Sequence, residues 1–499
     1  MAKVSTPTIG RRALLQAAVP LAAGATIAGR ALAAAPDDTT IDIRPTPKFD
    51  LSPYLYMQFM EPLGTTDGSV EASWDHLVRG WRPDLVEVSK ALAPPMMRWG
   101  GLFSAYYRWR EAVGPRDRRR PMHNLMWGGV ETNQIGTDEF LDFCELVGAE
   151  PLMCVNFESE GDPSWAVNAL GEKRAGNAQE AADWVAYCNA PGHPAPRPIR
   201  YWQLGNETSY SRKRFDKAAA IAKTIEFARA MRGVDPTIKL IAWGHSGWAS
   251  DMLHEAGDLV DMLAFHHLFD PGEACSDAHF RREPEAAWAA LMAGVATHDG
   301  KIVEMRRQTG KTRLALTEAH YQIKGPNRGM LNSTWAAGAA FARLQNVHQR
   351  HGDVLEIANL GDYCGTRWQT NVVMLPTPRG KAYLMPVGKV AALYRAFTGT
   401  SAVDAAGAPA DLDVVASRAG DRFYLHVVNT SLDTSRSSAL TIGGASPRRV
   451  QIHQIAPSDP FAEILSAEED PMPVTSQAIP PNTAVRFPPA SVTAVEIDI

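Results

Sequence analysis

Arg313-Leu314-Ala315-Leu316-Thr317-Glu318-Ala319-His320-Tyr321 is a β-rich run whose Leu314-Ala315-Leu316 segment is apolar on both faces of a strand. A strand with no polar face leaves no side for water. It belongs in a parallel sheet covered by helices. Seven other runs read as strands: Tyr54–Glu61, Pro95–Gly101, Pro151–Phe157, Ile199–Glu207, Ile238–Gly244, Met262–Phe269 and Glu356–Cys364. Longer helical stretches lie between them. Thr137 with Asp138 and Glu139 opens one, in which Phe140, Phe143, Cys144 and Val147 fall on a single face. Asn177 caps another, with Glu180 placed to complete a capping box. A third, Phe215 to Arg232, is Ala-rich and ends at Gly233 and Pro236. Eight such β–α units between residues 50 and 400 predict an α/β fold, a (β/α)8 TIM barrel. A doubly wound open sheet is the alternative, but no Gly-x-Gly-x-x-Gly follows the first strand to support a dinucleotide site.

Beyond residue 400 the texture changes. Val414-Val415, Phe423–Val428 and Val492–Ile497 read as strands separated by turns such as Ala419-Gly420-Asp421. They predict a C-terminal antiparallel β-sandwich over 401–499, to which 38–49, with Ile41-Asp42-Ile43, adds a strand.

The N-terminus is read as an address. Arg11-Arg12 precedes an apolar stretch and Ala31-Leu32-Ala33, the pattern of a twin-arginine signal peptide over residues 1–33. It predicts a periplasmic or secreted protein. No later segment is long and apolar enough to span a bilayer. The chain of 499 residues carries 50 basic and 55 acidic side chains, a net of −5, so a nucleic-acid partner is not expected. Cys144, Cys154, Cys188, Cys275 and Cys364 show no metal or redox spacing. No cofactor and no metal are expected.

Chemistry in such a barrel sits at the C-terminal ends of its strands. Glu207 ends the fourth run and Glu318 lies at the end of the seventh. Strands four and seven face each other across an eight-stranded barrel, so the two carboxyls can converge. Two carboxyls about 5–5.5 Å apart are what a retaining glycosidase needs.

Here the residues carry a resemblance. Trp202-Gln203-Leu204-Gly205-Asn206-Glu207 resembles the Asn-Glu motif of clan A glycoside hydrolases. Asn124 to Gln134, Gly136 to Phe140, Cys144 to Pro151 and Gly114-Pro115-Arg116 resemble family 51 α-L-arabinofuranosidases. The resemblance is densest between residues 94 and 270. It implies that Glu207 is the acid/base and Glu318 the nucleophile. It also implies that Glu61 binds sugar, that Arg98 lies beside the nucleophile, and that Asn206 bonds the hydroxyl next to the anomeric carbon. His266 would sit near the acid/base. A homo-oligomer is a further implication. Trp99, Trp127, Trp243 and Trp248 are candidate stacking platforms.

Three positions depart from the family pattern. Leu102 stands where Asn or Cys is usual, Leu268 near a usual Tyr, and Asp362 where Gln is usual. Tyr321 or His320 is a candidate replacement for the missing tyrosine. Arg367 and Trp368 are candidates for new sugar contacts. The expected activity is therefore exo-acting and α-L-arabinofuranosidase-like on a carbohydrate substrate. Xylosidase, galactofuranosidase, glucanase or uronic-acid glycosidase specificity are the alternatives. A non-catalytic carbohydrate-binding protein is a rival, as is a metal hydrolase using His245, His266, His267 or His320. Gly244-His245-Ser246-Gly247 is not the elbow of a serine hydrolase.

Overall fold

The computed structural model describes residues 39–63, 69–192, 198–210, 215–325, 329–366, 370–376 and 380–499. The segment read as a signal peptide, and Arg367 and Trp368, lie outside the described residues.

Eight parallel strands form one sheet: β1 (Gln58–Met60), β2 (Met96–Trp99), β3 (Glu150–Val155), β4 (Tyr201–Leu204), β5 (Lys239–Trp243), β6 (Met262–Phe269), β7 (Arg313–Tyr321) and β8 (Leu355–Ala358). Each pairs with its neighbour in chain order, β1 beside β2 through to β8. The two edges then meet at a parallel bridge between Met57 and Asn359, closing the sheet on itself. A helix follows each strand: α1 (Pro83–Leu92), α2 (Thr137–Val147), α3 (Ala178–Asn189), α4 (Lys217–Val234), α5 (Ala249–Ala256), α6 (Pro284–Thr309), α7 (Trp335–Arg350) and α8 (Pro386–Ala396).

Both faces of the strands are buried, for different reasons. Met57, Met96, Leu152, Tyr201, Ile241, Met262, Ala315 and Ile357 pack together inside the barrel and fill its floor. Their neighbours in sequence, such as Trp202, Leu240, Leu263 and Leu314, face the helices and belong to the main core. That accounts for the all-apolar strand pattern.

The first and eighth runs are shorter strands than the sequence predicts. Pro53–Tyr56 is a 3-10 turn, with Pro53 at its start, so β1 begins only at Gln58. The eighth run is cut at Gly361, whose φ is +80° and whose position would put a Cβ 2.5 Å from the Thr370 carbonyl. Asp362–Gly365 consequently joins a separate small sheet with Asn371–Met374 and Tyr383–Leu384. Asn177 does cap α3, accepting from the Glu180 backbone N–H at 2.8 Å. The Glu180 side chain does not return to the cap; it pairs with Arg108 at 2.6 Å. Half of such a box sits on α2 instead, where the N3 residue Glu139 accepts from the Gly136 N–H at 2.8 Å. Gly233 does not end α4, which runs to Val234 and stops two residues before Pro236.

Outside the barrel, apart from the small sheet of Asp362–Gly365 and two short hairpins, the strands form a seven-stranded sheet, which includes Leu412–Ala419, Arg422–Asn429 and Val492–Asp498, and a four-stranded sheet. Ile41, Phe423, Leu425, Ile452, Phe487 and Ile497 are among the residues packed between them. The strand Thr39–Ile43 joins the smaller sheet. Its pairing with Arg436–Ile442 is parallel, so this part is not purely antiparallel. The sandwich is bound tightly to the barrel. Asp413, nearly buried, receives Arg343 Nε at 2.8 Å and Asn346 Nδ2 at 3.0 Å from α7, together with Arg350.

Candidate active site

Strand β7 carries the feature that sets the site. Phe265 of β6 lies opposite Leu316, but His266 lies opposite Glu318, so Thr317 is an extra residue on β7. A bulge of this kind reverses which residues face which way beyond it. Leu314 and Leu316 face the helices. In plain alternation Glu318 would follow them. Because of the bulge, Glu318 turns into the barrel instead. Its near neighbour Tyr321 turns out.

Glu207 arrives by a different device. After β4 the chain passes through Gly205, with φ +73°, and a Cβ there would lie 2.6 Å from Phe157 Cβ. Glu207 itself has φ +53°, a sparsely populated conformation for a residue with a side chain. The buried Glu160 holds this turn by accepting the Asn206 backbone N–H at 3.1 Å.

These turns bring the two carboxyls together. Glu207, His266 and Glu318 each place one polar atom within 4.8 Å of the others. His266 Nδ1 is 2.8 Å from Glu207 Oε1 and 3.6 Å from Glu318 Oε2, and its Nε2 is 2.9 Å from Thr317 Oγ1. Arg98 is fully buried and uses three arms. Its Nη1 donates to Glu318 Oε1 at 2.8 Å, its Nε to Gln203 Oε1 at 2.8 Å, and its Nη2 to Asn206 Oδ1 at 2.6 Å.

The electrostatics separate the pair. Burial pushes the Glu207 carboxyl up to about 7, against the more distant charges of Arg98 and His320. Glu318 is also pushed up by burial, with the neighbouring His266 and the Arg98 guanidinium opposing it. Glu318 alone of the two has a hydrogen-bonded cation. The geometry therefore favours a protonated Glu207 beside an ionised Glu318. Burial holds His266 down at about 3, so its ring is neutral at ordinary pH.

Glu61 lies at the mouth beyond β1 and accepts the Phe103 backbone N–H at 2.9 Å. Burial, then the Glu318 charge, pushes its carboxyl well above the usual range, and Asp362 adds to this. Asp362, raised by burial, accepts from the Thr370 hydroxyl at 3.5 Å. Leu102 opens the 3-10 turn beside Glu61, and Leu268 faces His320 across strands β6 and β7.

Two predicted substrate contacts are elsewhere. Trp99 is fully buried on the helix side of β2, 4.9 Å from the Phe140 ring and 6.1 Å from that of Phe103. Arg98 takes the inward place. Tyr321 is fully buried between Phe269 and Phe341, its hydroxyl donating to the Leu291 carbonyl of α6 at 3.4 Å. The bulge is the reason. Of the other tryptophans, Trp243 lies at the floor of the site with its ring 4.7 Å from that of His266. Trp248 packs beside that floor, and Trp127 is exposed on the hairpin of Met122–His123 and Val130–Glu131. The histidines named for a metal site do not converge as a set. His267 faces away, 2.9 Å from His298 of α6, and His245 pairs with Tyr210. Among the described residues the grouping able to hold an ion is Glu207, His266 and Glu318. Its members are already joined to one another and to Arg98.

Gln203, Thr317 and Glu160 belong to the site and were not singled out from sequence. Gln203 was findable, since it shares with Tyr201 the inward face of β4. Thr317 and Glu160 depend on the bulge and on a left-handed turn, which leave no composition signal.

The fold is a parallel barrel, and the site places two carboxyls at the C-terminal ends of its strands. Known proteins narrow the likeness. Residues 88–285 match the family model of the alpha-L-arabinofuranosidase 1 domain. A probable alpha-L-arabinofuranosidase C of Aspergillus flavus is 35% identical over 233 residues, 43% of this chain and 43% of that one. An intracellular exo-alpha-(1->5)-L-arabinofuranosidase of Acetivibrio thermocellus is 31% identical over 247 residues, 43% of this chain and 45% of that one. The matches thus span less than half the length of these relatives. In fold, the GH51 alpha-L-arabinofuranosidase of Thermotoga petrophila superposes with a TM-score of 0.76 at 23% identity, covering 92% of this chain and 100% of that one. The chain is similar in sequence to alpha-L-arabinofuranosidases over residues 88–285 and in fold over nearly its whole length.

Proposed function

We propose that this protein is a retaining, exo-acting α-L-arabinofuranosidase-like glycoside hydrolase that releases terminal sugars from an oligosaccharide or polysaccharide. The carrying observation is the pair Glu207 and Glu318, with carboxyl oxygens within 4.8 Å at the barrel mouth. That spacing suits attack by one carboxylate and leaves no room for a water between the two. Glu318 attacks the anomeric carbon while Glu207 protonates the departing oxygen. Glu207, now ionised, then draws a proton from water as that water displaces Glu318 from the sugar.

Asn206 supports a sugar hydroxyl as the ligand. Arg98 claims its Oδ1, and its buried Nδ2 has no partner among the described residues. A buried amide left without an acceptor is costly, and a bound hydroxyl would satisfy it. Glu61 and Asp362 near the nucleophile favour a neutral glycone over a uronic acid. We further propose that residues 1–33 direct export by the twin-arginine route, on the strength of Arg11-Arg12 and Ala31-Leu32-Ala33.

A panel of 4-nitrophenyl furanosides and pyranosides, uronic forms included, tests the glycone. The α-L-arabinofuranoside is expected to be cleaved fastest, with the first-formed sugar keeping its anomeric configuration by proton NMR. Glu318→Ala should lower turnover on the order of 10⁴-fold or more, partly restored by added azide. An inverted first product, or near-normal turnover in that variant, would remove the proposal.

A further inference from the structure

The bulge at Thr317 decides which of two neighbours faces the sugar. Beyond it, Glu318 and His320 point into the barrel, while Ala319 and Tyr321 are fully buried on the helix side. His320 is half-buried and lies directly across from Leu268 on β6. It stands one step nearer the mouth than the facing pair His266 and Glu318. It therefore lies on the inward face of β7, two residues beyond Glu318 towards the mouth.

The proton position is also fixed. His320 Nδ1 is 3.0 Å from the Tyr321 carbonyl oxygen, which can only accept. Nδ1 therefore donates that bond, which leaves Nε2 as the ring nitrogen that can meet a substrate hydroxyl. Leu268, opposite, offers no polar atom. A polar wall that Leu268 cannot make is thus completed from the neighbouring strand.

We propose that His320 is a specificity-determining residue, whose Nε2 accepts a hydrogen bond from one hydroxyl of a neutral glycone seated against Glu318. This rests on the glycosidase reading above.

The test uses the full-length protein and whichever aryl glycoside it cleaves best. His320→Leu matches the residue across the strand pair and removes the acceptor. His320→Gln keeps an acceptor at similar reach. His320→Leu is expected to lower kcat/KM by ~10- to 100-fold, mainly through KM, because the bond is present before and during reaction. His320→Gln should recover to within about five-fold of the unaltered enzyme, since an acceptor is again present. With the series of monodeoxy glycosides, one deoxy sugar should be cleaved equally well by the unaltered and Leu enzymes, because its missing hydroxyl is the one His320 reads. Unaltered kcat/KM in the Leu variant overturns the proposal. So does equal impairment of Leu and Gln, or the same loss on every deoxy sugar. If the unaltered protein cleaves no glycoside at all, the functional reading itself falls, and this inference with it.

Discussion

Glu207 and Tyr321 show how much a single side chain's surroundings decide. Glu207 must be protonated to act as an acid, and burial holds its carboxyl up at about 7. Activity is therefore expected below pH 7 and lost as pH rises through that value. In a kcat/KM profile this alkaline limb should vanish in Glu207→Ala with a substrate whose leaving group needs no acid. The same shift is a stability statement. A carboxyl raised above its ordinary 4.5 stabilises the fold fully below that value and loses the contribution as pH rises through about 7. Glu207→Gln should thus flatten the fall in melting temperature between pH 5 and 8. Tyr321 carries the opposite expectation. With its hydroxyl on the Leu291 carbonyl, Tyr321→Phe should leave KM unchanged and cost at most ~1.5 kcal/mol of stability. A several-fold rise in KM would place the ring in the site after all.

At the scale of elements, the ends of strands do most of the positioning. Gly205→Ala would bring a methyl to 2.6 Å from Phe157 Cβ at a φ of +73°. The turn must then shift, moving Asn206 and Glu207 together. Activity should fall ~100-fold, since a displacement of about 1 Å at the acid is enough for that, while the far-ultraviolet circular dichroism stays unchanged. Normal activity would show that the turn does not set the acid's position. The same elements mark what the sequence makes legible. The mouth of the barrel announces itself, because apolar runs give way to charge at Arg98, Glu207 and Glu318. The helix-facing and barrel-facing sides of a doubly buried strand do not, because both are apolar. Trp99 beside Arg98 illustrates it: nothing local says which of the two turns inward. Thr317 is a sharper case. A bulge is a relation between two strands, invisible in either one alone, and with it went the choice between His320 and Tyr321.

For the whole molecule, the barrel and the sandwich share one core. Val428, Ile455, Val492 and Ala494 of the larger C-terminal sheet pack in the same cluster as the barrel's helix-facing residues. Trp335 of α7 donates its indole N–H to the Ala490 carbonyl at 2.7 Å, and Trp288 of α6 donates to that of Thr430 at 2.8 Å. Thermal unfolding followed by calorimetry should therefore give one transition for both parts; two resolved transitions would contradict the shared core. Asp413→Ala should lower that transition, leaving Arg343 and Arg350 without their shared carboxylate. The cost is expected at about 2–4 kcal/mol, reduced from a fully buried case because Arg350 is partly exposed.

The packed floor of the barrel sets the traffic of the reaction. Met57, Met96, Leu152, Ile241 and Met262 stop it from below, so everything that enters must leave by one door. In the proposed cycle the departing alcohol goes out through the opening that the second-step water uses to come in. An alcohol that lingers there, or one supplied in excess, competes with water for the sugar held on Glu318. The enzyme would then build glycosidic bonds as well as break them, in a ratio set by what crowds the entrance.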